Sequence, residues 1–407
     1  MAKRTVIIIG GGIAGVSAAL SLARRGIDVH IVDRADYLGG RAITYGCKAS
    51  SSCTMCGVCL VSDKMEELGD LSGVAVHTRA SVTALRGFPG DFTVEVTQRE
   101  RWVDPDKCTA CGQCMDSCTA GAIKRAPASA YPQAVVMNEA ECPADCAGKC
   151  RTACAFGAIQ LLPARTFTLR ADGVVVATGF SPFDAANAWD LGYGRIPGVM
   201  TAMEAEEALR QHGTLLLHGQ APRRIAFVQC VGSRNIPLGR NYCSEVCCKY
   251  ALRMINALRK ERPDTEFTLF YMDIQSAGKG FSKVYEECKA HARFVSGMPV
   301  EIKKGKQGVL VRYEDQSSAR VAHAEFDLVV LSTGIWPRED AALVGRRLGL
   351  NLDEHGFFDE TGHFATRRPG VVVAGACAKP MTIADAIAHA QGAAMSLVSR
   401  LEAEVSS

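Results

Sequence analysis

The sequence predicts an α/β protein, a Rossmann-like dinucleotide-binding unit interrupted by an inserted, cysteine-rich module. Three observations predict it. The opening residues read strand, glycine turn, helix, strand, acid, in that order. Two cysteine runs near the middle of the chain end alike, as an internal repeat. Apolar β-branched runs recur later, and two of them close on Thr-Gly.

The first strand is Val6-Ile-Ile-Ile9, and GxGxxG follows through Gly10, Gly12 and Gly15. A helix is expected from Val16 to Arg25, with apolar positions 16, 19, 20 and 23 on one face, and Gly26 stops it. Ile27 to Val32 is the second strand, with Asp33 at its end. Gly10 permits the tight turn, Gly12 admits a pyrophosphate to the backbone, and Gly15 lets helix pack on strand. The helix N-terminus faces phosphate charge, and Ile13 and Ala14 of the turn before it are also expected at the cofactor. Asp33, followed by Arg34, can accept hydrogen bonds from ribose hydroxyls.

Composition narrows the classes. The chain has 407 residues, 48% of them hydrophobic, enough for two or three domains. A net charge of +3 implies no basic face, which argues against nucleic acid as a partner. Lys3 and Arg4 before an apolar run resemble a signal peptide, but glycines break the run and the acid completes a nucleotide fold. No run of about 18 apolar residues stands elsewhere, so no transmembrane helix is expected. A cytoplasmic protein is expected, and docking on a membrane-associated complex stays compatible with that.

Cysteine is the outlier, at 18 residues. A disulfide scaffold is usually short and extracellular, so clustered thiols here favour metal. Cys108-x2-Cys111-x2-Cys114-x3-Cys118 has the bacterial ferredoxin spacing for a [4Fe–4S] cluster. The second run, Cys142, Cys146, Cys150 and Cys154, repeats the closing Gly-Ala-Ile with stretched spacing. In such modules the fourth cysteine ligates the other cluster. The sets expected are therefore Cys108, Cys111, Cys114 with Cys154, and Cys142, Cys146, Cys150 with Cys118. The proline usual after the fourth cysteine is Thr119 or Ala155 here, and zinc is the rival metal. A third group is Cys230, Cys243, Cys247 and Cys248, either a cluster or a mixture of buried and reactive thiols. A fourth is Cys47, Cys53, Cys56 and Cys59, either a cluster or a redox CxxC pair. Cys288 and Cys377 read as core thiols, and His218, His291, His323 and His389 as ordinary surface or core residues.

Gly39-Gly40-Arg41 resembles the extension by which two-dinucleotide-binding-domain (thioredoxin-reductase-like) flavoproteins hold FAD. Val174 to Ala177-Thr178-Gly179 and Val329 to Thr333-Gly334 look like that family's strand-plus-Thr-Gly elements. Val371 to Gly375-Ala376 looks like its flavin-contacting strand, although the usual Asp is absent. The helix expected from Thr382 to Leu397, through Ile383, would then face the flavin, with Asp385 as a substitute acid. In the middle domain, Arg224 to Val228 runs into a segment with one glycine and no second GxGxxG. That makes a nicotinamide site doubtful there.

Together the residues resemble the A subunit of heterodisulfide reductase. The resemblance runs through Ser52-Cys53-Thr-Met-Cys56, Lys64-Met65-Glu66, Tyr131-Pro-Gln-Ala-Val135, and Gly192-Tyr-Gly194 before Thr201. It continues through Ile225 to Arg234, Tyr242-Cys243 to Cys248, Tyr271-Met-Asp273, and Gly278-Lys279-Gly280. It implies a [4Fe–4S] cluster on Cys230, Cys243, Cys247 and Cys248. It also implies an FAD electron hub that relays or bifurcates electrons among heterodisulfide-reductase-like subunits and ferredoxin or another carrier, within a homo-oligomer. Longer family members carry further cluster domains at their ends. The rival readings are an NAD(P)H-dependent flavin oxidoreductase and a zinc-stapled flavin scaffold.

The expected organisation begins with an FAD-binding segment at 1–100, then the ferredoxin-like insertion at 101–162. The FAD-binding domain resumes at 163–215. The cysteine-bearing middle domain follows at 222–325, and a last FAD-binding segment at 326–407 completes the chain. Gly305 to Gly308 is expected to turn a hairpin.

Overall fold

Short runs of valine, isoleucine and leucine, apolar on both sides, suit strands buried on both faces. The computed structural model describes residues 3–49, 53–143, 146, 148–275, 280–316 and 318–405. Ser52, Gly278 and Lys279 lie outside these. The chain uses one plan twice: a five-stranded parallel sheet with helices on one face and a three-stranded antiparallel sheet on the other.

The first sheet runs Val371–Val373, Gly173–Val176, Thr5–Ile9, Asp28–Val32, Val74–His77, all parallel. Helices Ile13–Ala23 and Ile383–Val405 share a core beneath it, with Ala19 and Leu20 in the same cluster as Ala390, Ala394 and Leu397. The opposite face packs on the antiparallel strands Ala80–Phe88, Asp91–Gln98 and Arg165–Ala171. The first helix begins three residues before the expected Val16. Gly12, extended at φ −73° and ψ −176°, already caps it. The last helix runs past Leu397 to Val405.

The second sheet runs Val199–Thr201, Leu328–Thr333, Arg224–Val231, Glu266–Tyr271, Ala292–Ser296, also parallel. Helices Ala202–His212, Cys247–Glu261 and Phe281–Lys289 cover one face. Strands Pro299–Lys304, Val309–Asp315 and Arg320–Phe326 cover the other. The amide of Gly305 donates to Gly308 O at 2.8 Å, closing the expected hairpin. Val199–Thr201 and Leu328–Thr333, expected with the flavin unit, pair in this second sheet instead. Every residue of Leu328–Thr333 is buried, so the strand needs a neighbour on each edge. It finds them here, between Val199–Thr201 and Arg224–Val231, and Val371–Val373 takes in the first sheet the edge that Val199–Thr201 takes in the second.

The insertion is closed by Arg101–Val103 pairing antiparallel with Ile159–Leu162. Several contacts tie it to the first unit, two of them beside the glycine turn. Buried Arg79 donates to Asp36 at 2.9 Å and to Glu139 at 2.8 Å. Leu38 donates its amide to Tyr131 O at 2.7 Å, one residue before Gly39. Among the described residues no helix is long and apolar enough to cross a membrane.

Candidate functional site

The glycine turn closes because side chains are missing from it. A Cβ on Gly15 would lie 1.9 Å from Gly10 O, and one on Gly10 (φ +106°) 2.4 Å from Ala177 O. Gly40 (φ +57°) lies against Gly12, where a Cβ would come within 2.9 Å of the Gly12 Cα. Two glycine-bearing loops thus abut with no side chain between them. Asp33 braces the turn: one carboxylate oxygen accepts from the Gly11 amide at 2.6 Å, the other from Ala35 at 2.7 Å.

A cavity of about 440 Å³ opens along this turn. Its wall includes Gly10, Gly12, Ile13, Ala14, Asp33, Arg34, Gly40 and Arg41. The later segments contribute Ala177, Thr178, Gly179, Thr333, Gly334, Ala376, Thr382 and Ile383. Both long helices of the first unit start at this wall, so two sets of N-terminal amides face one space. These features, with the side-chain-free glycine floor, fit a dinucleotide such as FAD.

Four residues expected at the cofactor lie outside the lining. Gly15 seats the helix, and Gly39 donates its amide to Gly11 O at 2.8 Å. Gly375 (φ +75°) abuts Ala14, its missing Cβ only 2.4 Å from that methyl. Asp385 is exposed and hydrogen-bonds Thr382 at 2.5 Å, forming the helix cap. A carboxylate three residues into a helix is well placed to bond its own N-cap, and that draws Asp385 away from the cavity. Arg34 is paired with Asp340 at 3.1 Å, and Arg41 donates to Phe180 O at 3.0 Å.

Several wall residues carry no local sequence signal. Lys48 and Glu206 form a buried ion pair at 2.6 Å, and the Glu206 carboxylate also accepts from the Gly46 amide at 2.8 Å. Tyr45 beside them is half-buried, and desolvation pushes its phenol up to about 12. Tyr250 and Arg253 enter from the helix Cys247–Glu261. Their separation in sequence hides them. His389, read as ordinary, accepts the Gly375 amide at Nδ1 at 3.2 Å and lies 3.4 Å from Glu360. It therefore supports the turn beneath the cavity, and burial lowers its pKa.

The thiols gather in groups. Cys108, Cys111, Cys114 and Cys154 line one small void, so a residue of the second run joins three of the first. Burial pushes the Cys114 thiol up, reinforced by Cys108, Cys154 and Cys111. Cys142 is pushed up by desolvation and by Cys146, Cys150 and Cys118. Amides point at these sulfurs: Ala110 N–H donates to Cys108 at 3.5 Å and Ala158 N–H to Cys154 at 3.3 Å.

The third group sits at the carboxyl ends of the second sheet's strands. Cys230, in the left-handed region at φ +56°, ends Arg224–Val231 beside a bulge, and Cys247 and Cys248 open the next helix. Burial drives Cys230 up to about 12 and Cys247 well above its ordinary value, with the group's other thiols adding to both. The loop between them fills the crevice. Ser233 Oγ accepts from the Ser244 amide at 3.1 Å, Ser244 Oγ accepts from the Ile335 amide at 2.8 Å, and Trp336 donates to Gly232 O at 2.6 Å. Nucleotides bind in this crevice of doubly wound sheets. Here side chains and thiols occupy it.

Of the fourth group, Cys56 lines the cavity, Cys59 opens the helix Cys59–Asp70, and Cys47 and Cys53 are exposed. Cys288 and Cys377 are core thiols. Among the described residues no three His, Cys, Asp or Glu side chains converge on one point as a single bare ion requires.

Residues 8–50 match the NAD(P)-binding Rossmann-like domain, and residues 101–124 match the 4Fe–4S binding domain. The chain is 32% identical over 415 residues to the A subunit of the H(2):CoB-CoM heterodisulfide,ferredoxin reductase of Methanothermobacter marburgensis, covering 95% of this chain and 62% of that protein. It is 32% identical over 418 residues to the iron-sulfur A subunit of the CoB–CoM heterodisulfide reductase of Methanocaldococcus jannaschii, covering 96% and 63%. It is 33% identical over 429 residues to the A subunit of the ferredoxin:CoB-CoM heterodisulfide reductase of Methanosarcina mazei, covering 98% and 53%. The chain thus spans between about half and two thirds of these relatives. Among solved structures it resembles the thioredoxin reductases of T. acidophilum (TM-score 0.54, 18% identity, 98% and 99% coverage) and Lactococcus lactis (0.56, 15%, 98% and 99%).

Proposed function

We propose that the chain, 32% identical to the A subunit of a heterodisulfide reductase over 95% of its length, is an FAD- and [4Fe–4S]-containing electron-transfer subunit. It relays electrons between partner subunits and a carrier such as ferredoxin. One observation carries the reading. Cys230, Cys243, Cys247 and Cys248 occupy the crevice where the second sheet would otherwise take a nicotinamide nucleotide.

FAD, when bound, supplies the exchange between electron pairs and single electrons. Gly10, Gly12 and Gly40 would admit its pyrophosphate, Asp33 braces the turn and would orient its ribose, and the two helix N-termini would offset phosphate charge. Arg41 and Lys48 place positive charge in the wall, with Lys48 held by Glu206. Desolvation is the first cause that raises the phenols of Tyr45 and Tyr250, which favours their neutral form. Three thiol sets would hold clusters: Cys108, Cys111, Cys114 with Cys154; Cys142, Cys146, Cys150 with Cys118; and the crevice four. Amides aimed at cluster sulfurs are a recognised means of setting potential. The last set shares its helix, Cys247–Glu261, with Tyr250 and Arg253 of the cavity wall.

The test is anaerobic isolation from the native host, with metal, flavin and co-purifying subunits determined. One FAD and at least about 12 iron atoms are expected for three clusters. NADH should leave the flavin absorbance unchanged, whereas a reduced low-potential carrier should bleach it. Rapid bleaching by NADH, or zinc with negligible iron, would overturn the proposal.

A further inference from the structure

We propose that Cys47, Cys53, Cys56 and Cys59 hold a further [4Fe–4S] cluster against the flavin cavity. The segment Cys53-Thr-Met-Cys-Gly-Val-Cys59 repeats Cys108-Thr-Ala-Cys-Gly-Gln-Cys114, matching at every position but two. The second of these lies within the matched 4Fe–4S binding domain.

The backbone repeats as well. Met55 and Ala110, at the same place in each segment, both sit at φ +53°, where non-glycine residues are rare. In each, that residue's amide donates to the first sulfur of the run: Met55 to Cys53 at 3.4 Å, Ala110 to Cys108 at 3.5 Å. The glycine after the second cysteine is left-handed in both, Gly57 at +79° and Gly112 at +92°. Each third cysteine then enters a helix. A further copy of the sulfur contact occurs at Cys243, which accepts from Glu245 at 3.3 Å with Glu245 at φ +60°. The left-handed residue turns an amide back onto sulfur, which stabilises a thiolate, and thiolate is the ligand form. A dithiol that cycles through a disulfide has no need of a third in-register cysteine.

Tertiary contacts hold the segment in place. Arg253 donates to Thr54 O at 3.1 Å and to Met55 O at 3.4 Å, and its charge faces Cys56 and Cys53. A Cβ on Gly57 would touch Ile383 at 3.4 Å, at the start of the last helix, and Cys56 itself lines the cavity. Cys47, exposed and the remaining thiol of the segment, is assigned as the fourth ligand by the proposal. The inference leans on the FAD reading for its location only. Cys53, Cys56 and Cys59 stand on the repeat.

Two measurements on the full chain test it. In anaerobically purified, iron-loaded protein, iodoacetamide followed by peptide mass mapping should leave Cys47, Cys53, Cys56 and Cys59 unmodified, as it leaves Cys108 to Cys154. Chelation after oxidation should then expose them. The Cys53→Ser/Cys59→Ser variant, both positions outside the cavity wall, should lose about four iron and about four sulfide per chain, with FAD content unchanged. Immediate alkylation of these thiols while the insertion stays protected would overturn the inference, and so would full iron content in the variant. If the broader electron-transfer reading fails instead, the insertion's thiols alkylate too, or FAD is missing from the unaltered protein.

Discussion

Replacing Lys48 with methionine removes one half of an ion pair that forms part of the cavity wall. Both side chains are over nine-tenths buried, and the pair is 2.6 Å apart. Removing one partner of such a pair strands a charge, at a cost of about 3–5 kcal/mol. The Gly46 amide, 2.8 Å from the same carboxylate oxygen, keeps one hydrogen bond and places the expected loss at the lower end, about 3 kcal/mol. That is roughly a hundredfold shift in the equilibrium that opens the wall. The assay is urea titration of the FAD-loaded protein under anaerobic conditions, following flavin fluorescence as FAD is released. Adding Glu206→Gln to Lys48→Met should restore most of the loss. The amide oxygen still accepts from Gly46, and no charge remains. A loss below about 1 kcal/mol for Lys48→Met would refute the reasoning, and so would a double variant no better than the single one.

Two other outcomes follow from the structure. His77, stacked on His30 with ring nitrogens 3.0 Å apart, has its pKa lowered to about 4, first by burial and then by His30 and Arg165. The folded state favours neutral His77, so its stability contribution is full above about pH 6.5 and is lost as pH falls towards 4. Thermal melts across that window should show a steeper decline for the unaltered protein than for His77→Gln. Asp385→Ala should cost about 1 kcal/mol through the weakened cap, with FAD content unchanged. Loss of FAD from that variant would return Asp385 to the cofactor.

The dinucleotide unit was legible because its chemistry is local. The turn, the helix start and the bracing acid lie within one short βαβ segment, and sterics at Gly10 and Gly15 dictate the residue type. The ferredoxin-like run was legible for the same reason, since thiolates around a cluster impose a spacing. The Cys53–Cys59 repeat of that run was also present in the sequence, but its left-handed torsions and sulfur contacts tie it to the insertion.

Long-range pairing was not legible. Leu328–Thr333 reads like any buried strand, and only the need for a neighbour on both edges places it in the second sheet. Lys48 meets Glu206 across 158 residues, and His389 reaches Gly375 from a separate helix. Such contacts depend on where elements dock, which local periodicity does not encode. The sequence by itself determined the nucleotide turn and the cysteine spacings. Tertiary packing decided which thiols meet and which charges line the cavity.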